Sequence, residues 1–195
     1  MNRVTLKTNA KNQLRGKWGA SALATLIYVL VVAAVSAIPV VGWIAGIILS
    51  PIMIYGFYYY NYKTSKGEDA DIGDLFKGFN NFGTIVGAGL LIGVFTFLWS
   101  LLFIIPGIIA TFRYSLTYFV LIENPDMSAM DAIRKSKELT YGYKFDIFIL
   151  MLSFFGWSLL SSLTCGILFL WVLPYMIVTF SNLYKELAKG NPNLQ

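Results

Sequence analysis

Residues 123–187 read ENPDMSAMDAIRKSKELTYGYKFDIFILMLSFFGWSLLSSLTCGILFLWVLPYMIVTFSNLYKEL. A polar, helix-patterned stretch from Asn124 to Gly142 feeds two long apolar segments joined at Thr164-Cys165-Gly166. Each segment approaches the length of about 20 apolar residues that carries a helix across a bilayer, and the joint leaves room only for a tight turn. The unit is a helical hairpin preceded by a charged helix.

The same order recurs twice upstream. A polar segment ends in a glycine beside aromatics (Gly16 before Trp18, Gly78 before Phe79, Gly142 before Tyr143), and an apolar helix, a turn and a second apolar helix follow. The turns contain Pro39, Pro106-Gly107 and Gly166, residues that interrupt helices because proline lacks an N–H and glycine tolerates unusual backbone angles. Just past each turn lies Gly-Ile-Ile or Gly-Ile-Leu, starting at Gly46, Gly107 and Gly166, 61 and 59 residues apart. The expected fold class is all-α: one integral membrane domain, a polytopic bundle of six transmembrane helices arranged as three pseudo-repeated hairpins. The spans fall at about 18–38, 43–62, 84–105, 107–122, 145–164 and 166–184. The pseudo-repeats cover about 1–62, 63–122 and 123–187, with a short tail at 188–195.

Composition agrees. Of 195 residues, 57% are hydrophobic and 13% charged, with mean hydropathy +0.66, too apolar for a water-soluble core. The N-terminal 37 residues mimic a secretory signal, but the apolar run is longer than a signal core and its pattern recurs, so it reads as a retained helix. Apart from Arg113, every Lys and Arg lies in the N-terminal segment, the two inter-hairpin loops or the C-terminal tail. The excess of Lys and Arg on one side of a membrane marks the cytoplasmic face, which places both termini and both polar loops in the cytoplasm. Tyr55, Phe57, Tyr58, Tyr59, Tyr60 and Tyr62 read as an interfacial aromatic belt.

The polar segments read as amphipathic cytoplasmic helices. In the first, Arg3, Lys7, Lys11 and Arg15 form a basic stripe beside Leu6, Ala10 and Leu14, suited to an anionic leaflet. In the third, Ser128 and Asp131 read as a capping box. There Ala129, Ala132, Ile133, Ser136 and Leu139 form the apolar face, and Asp131, Arg134, Lys135 and Glu138 lie on the charged one. A solvated linker helix explains these charges as well as a head-group site does.

Arg113 is the outlier. It falls six residues past Gly107, inside the fourth span, where a charge costs about 2.5–3.5 kcal/mol even on insertion scales. Two readings stand: it lines a polar pocket, pairing with a phosphate or with Asp146, or it snorkels to the outer head groups. Gly83, Gly87, Gly89, Gly93, Ser158 and Ser162 read as small-residue helix-packing positions, and Pro51 and Pro174 as kinks within the second and sixth spans.

No catalytic or cofactor constellation is present in the sequence. One cysteine, Cys165, and no histidine leave no Cys/His metal set. The acids Glu68, Asp69, Asp71 and Asp74 lack the later ligands of a calcium loop. There is no phosphate loop and no nucleophile elbow, and no carboxylate at mid-depth for ion coupling, so neither an enzyme nor an ion-coupled pump is expected. Nucleic-acid binding is not expected either, because the basic residues sit beside membrane helices.

Several blocks carry a resemblance: Arg113-Tyr114, Asn124-Pro125-Asp126, Ala132 through Leu139, Gly142, Gly156-Trp157 and Trp171 through Tyr175. Together they closely resemble the domain of unknown function 975 family of bacterial integral membrane proteins, over residues 107–187, with a looser fit upstream through Leu14-Arg15-Gly16. The resemblance implies a multi-pass protein of the bacterial cytoplasmic membrane with no assigned biochemical activity. The expected role is non-enzymatic: binding of membrane lipids through anionic head groups, or of a membrane protein partner or a second copy, in envelope maintenance, stress or immunity. The alternative is a small permease or export component whose path is lined by Arg113 and the kinked helices.

Overall fold

The computed structural model describes residues 2–38, 41–102 and 104–190. Pro39, expected in the first turn, and most of the expected tail lie outside them. The described residues are helical, with no strand: α1 (Arg3–Leu14), α2 (Trp18–Ser36), α3 (Val41–Lys66), a 3-10 helix (Ile72–Asn81), α4 (Phe82–Leu102), α5 (Ile104–Tyr114), α6 (Thr117–Glu123), α7 (Ala129–Leu139), α8 (Lys144–Leu163) and α9 (Phe169–Lys189).

Local chemistry explains the boundaries. The Asn2 side chain accepts hydrogen bonds from the Val4 and Thr5 N–H groups at the start of α1, and the Ser128 hydroxyl accepts the Asp131 N–H at the start of α7. Positive φ at Cys165 (51°) and Gly166 (85°) makes the tight α8–α9 turn. Pro106 and Gly107, expected in a turn, instead lie in the first turn of α5, where proline costs no hydrogen bond. Gly107 packs there against Ser100 of α4, close enough that a Cβ would clash.

Three stretches among the described residues are long and apolar enough to cross a membrane, Trp18–Ser36, Ile72–Leu101 and Lys144–Leu163, where the sequence suggested six. Within an 18-residue apolar window of each of these outer stretches, only 22%, 17% and 22% of the residues are buried. Leu30, Phe97, Leu98, Leu101, Phe155 and Leu163 all point outward. The inner helices α3 and α9 are longer than 20 residues but spend positions on Tyr, Asn, Ser and Thr. They can do so because they face one another: Asn61, Tyr62, Thr179 and Ser181 are buried. The segment expected to span at 107–122 is broken into α5 and α6 around Ser115, whose hydroxyl donates to the Phe112 carbonyl.

The tyrosine-rich end of α3 is core, not an interfacial belt. Tyr55, Phe57, Tyr60 and Tyr62 are almost fully buried, Phe57 stacks on Tyr28, and Tyr62 meets Phe119 and Tyr184. Close packing matters here because lipid tails offer no hydrophobic drive for one membrane helix to join another.

The packing is cyclic. The 3-10 helix lies on α3, α7 on α4 and α6, and α1 on α9; among the apolar helices α4 leans on α3, α8 on α5 and α2 on α9. Each charged segment with its hairpin docks on the hairpin before it, and the first docks on the last.

Candidate functional site

Two polar features stand out, and the first was not anticipated. Where α3, α6 and α9 converge, the Glu123 carboxylate receives the Tyr62 hydroxyl on Oε1 and the Tyr184 hydroxyl on Oε2, the latter at 2.9 Å. The Lys66 ammonium lies 3.6 Å from Oε1 and over the Tyr62 ring. Burial pushes the Glu123 carboxyl up, but the two hydroxyls and Lys66 outweigh it and hold the group below its ordinary value. Tyr62, Glu123 and Tyr184 are spaced by 61 residues each, the interval of the repeat. That spacing was the available signal. It was hidden because a carboxylate and two phenols do not look alike in sequence.

Glu123 opens onto a cavity of about 390 Å³, lined also by Lys63, Lys66, Glu68, Asn124 and Lys135. Lys63 is tied to Asp74 at 2.8 Å. Asp74 also accepts the Asp71 N–H and caps the 3-10 helix, so the acidic loop is a folding device. Lys185 donates to the Ser65 carbonyl and hydroxyl at 3.0 and 2.7 Å; burial, then Lys66, lowers its pKa to about 8. Tyr184, which also lines the cavity, stacks on Phe119, and both rings are almost fully buried.

Arg113 forms the second feature. It lies in the last turn of α5, and its carbonyl accepts the Ser136 hydroxyl of α7 at 2.8 Å. It borders an open groove of about 430 Å³ with Arg134, Lys137, Glu138 and Tyr141. Breaking the helix after Tyr114 puts Arg113 in the last turn of α5 rather than in the interior of one continuous helix. It also brings Arg113 beside further cations rather than beside Asp146, which pairs with Arg3 at 4.0 Å. Arg134 is paired with Asp131 at 3.2 Å. The Lys137 ammonium sits 5.6 Å from the Phe95 ring centre and 5.5 Å from that of Tyr114.

The basic stripe of α1 faces protein more than expected. Leu6, Ala10 and Leu14 are buried; Lys7 donates to the Ser153 hydroxyl at 3.1 Å and Lys11 reaches the Tyr175 ring, while Arg15 is exposed. Lys135 belongs to the cavity and not to the outer groove.

Among the small residues, Gly89 packs against Pro51 of α3, and a Cβ at Gly87 would lie 3.6 Å from Ala129. Gly83 and Gly93 face open space. Ser158 and Ser162 bond within their own helix, and the buried serine of α8 is Ser161. The closest backbone approaches are at Gly56, not singled out from sequence, against the Leu75 carbonyl, and at Gly78, marked there only as the end of a polar segment, where a Cβ would meet the Ile52 carbonyl oxygen at 2.5 Å. Pro174 lies inside α9 and is buried. Among the described residues no group of acids, Cys or His is arranged to hold a metal.

No curated protein and no solved structure matches the chain. A family model described as protein of unknown function (DUF975) matches residues 1–111 and 101–191, two overlapping segments that together cover nearly the whole chain. The chain therefore belongs to the DUF975 family.

Proposed function

We propose that this is a non-enzymatic, multi-pass protein of the bacterial cytoplasmic membrane that binds the head groups of anionic phospholipids on its charged face. In this reading α3, the α5–α6 pair and α9 complete the crossings of the three outer helices, giving six spans with both termini cytoplasmic. The observation that carries it is the groove at Arg113: Arg113 and Lys137, which share its lining, have no carboxylate partner among the described residues, and Lys137 lies over Phe95 of α4, the helix this reading turns toward lipid. A cation at the edge of an apolar surface is best neutralised by a phosphate at the bilayer interface.

Native mass spectrometry of protein extracted in native lipid discs tests this. Wild type should retain a defined anionic phospholipid that Arg113→Ala loses; equal retention by both proteins would sink the reading.

The cavity at Glu123 supports a second reading, a small permease. Its lining includes Tyr184, which stacks on Phe119, and in this reading those rings form the inner wall of the path. Substrate flux in proteoliposomes that Glu123→Ala abolishes would favour it over lipid binding alone.

A further inference from the structure

The Lys137 arrangement has a counterpart elsewhere in the molecule. Lys137 of α7 lies over Phe95 of α4 and Tyr114 of α5, two rings that touch at 6.2 Å. Lys7 of α1 lies over Phe154 of α8 at 4.5 Å and Tyr175 of α9 at 5.9 Å, rings that touch at 5.2 Å. Phe154 and Tyr175 are 59 and 61 residues beyond Phe95 and Tyr114, the spacing of the repeat. In both places the charged helix of one unit sets a lysine on the aromatic pair at the hairpin of the unit before it.

The surroundings match too. Lys11 lies 5.8 Å from the Tyr175 ring centre, a second cation as Arg113 is beside Lys137. Neither Lys7 nor Lys11 has a carboxylate partner among the described residues, since Asp146 is taken by Arg3. On the outward side, Leu152 and Phe155 of α8 are more than half exposed, which is a surface for acyl chains. Burial, then repulsion from Lys11, lowers the Lys7 pKa, as expected for two ammonium groups without a counter-ion.

The third junction is built differently. There the 3-10 helix docks on α3 through the backbone contacts of Gly78 with Ile52 and Gly56 with Leu75, and among the described residues no lysine of the 3-10 helix lies over an aromatic pair.

We propose that Lys7 and Lys11, at the α8–α9 junction, form a second seat for the phosphate of an anionic phospholipid, the counterpart of the Arg113 and Lys137 seat, so that the chain holds two such lipids and not three; this rests on the lipid-binding reading above. The lysines neutralise the phosphate, the aromatic pair holds the Lys7 ammonium in place, and α8 takes the acyl chains.

The test counts phosphatidylglycerol molecules retained by the full chain in discs of phosphatidylglycerol and phosphatidylcholine, by native mass spectrometry. Wild type should retain two, the Lys7→Gln/Lys11→Gln variant one, the Arg113→Gln/Lys137→Gln variant one, and the four-fold variant none. Lys7→Arg/Lys11→Arg should restore two, which separates lost charge from lost folding. If wild type retains one and the Lys7/Lys11 pair changes nothing, the second seat is wrong and the lipid reading stands. If only the Lys7/Lys11 pair matters, this seat stands and the Arg113 site falls. Retention of none by wild type overturns both. Displacement of the lipid by millimolar glycerol phosphate would show that free phosphate, not a lipid, is the ligand, and would overturn the assignment.

Discussion

The outer helices α2, α4 and α8 and the inner set α3, α5–α6 and α9 obey different rules. The outer helices are uniformly apolar and mostly exposed; their sequence reports the solvent they face, and no particular neighbour is written into it. The inner helices are less apolar, yet they hold the buried tyrosines, the Glu123 junction and the glycine contacts. In a membrane protein, hydropathy marks what touches lipid, while polarity inside a helix marks what touches protein.

Substitutions should separate the two sets, and the largest effect is expected at Gly56. A leucine there must displace the Leu75 backbone, so folded Gly56→Leu protein should not be recovered from the membrane, as read by size-exclusion chromatography in detergent. Next, Phe119→Ala opens a hole among Tyr58, Tyr62 and Tyr184 and should cost about 3–5 kcal/mol, the range for buried aromatic truncations, measured by denaturant titration. Glu123→Ala strips both tyrosine hydroxyls of their acceptor and should cost about 1–3 kcal/mol, toward the lower end because the carboxylate is 37% exposed. Glu123→Gln should cost less.

Stability against pH gives a finer comparison. Because the Glu123 pKa is lowered on folding, its contribution is present above the ordinary carboxylate range and is lost as pH falls through the lowered value. Wild type should therefore lose thermal stability on acidification, and Glu123→Gln should flatten that limb. Lys185 acts at the other end: its pKa falls from 10.5 to about 8 on folding, so the unfolded chain binds more protons between those values and stability rises with pH across that window. Lys185→Met should remove the rise. The smallest effect is expected at the outer set: Leu98→Ala on α4, where the side chain is 52% exposed, should stay within about 0.5 kcal/mol.

Particular residues show where sequence reasoning succeeded. The α7 face of Ala132, Ile133, Ser136 and Leu139 is buried as its periodicity requires, the Ser128 cap forms, and the Gly142 stop has positive φ. These depend on chain neighbours within a turn or two. Ser158 and Ser162 were singled out by their own spacing, yet Ser161 is the one buried, because the face a membrane helix buries depends on which helix lies beside it. Arg113 was placed inside one continuous helix for a similar reason: an apolar run gives no sign that the helix breaks after Tyr114.

By itself, then, the amino-acid sequence determined the helical class, the three strongly apolar stretches and the helix caps, since each follows from local backbone chemistry or from the length of an apolar run. Only the tertiary structure decided which helix of each hairpin faces inward, that Glu123 joins Tyr62 and Tyr184, and that Lys7 and Lys137 occupy matching places. Those outcomes rest on contacts between residues about 60 or more positions apart, and such contacts exist only once the cyclic packing of the three units has closed.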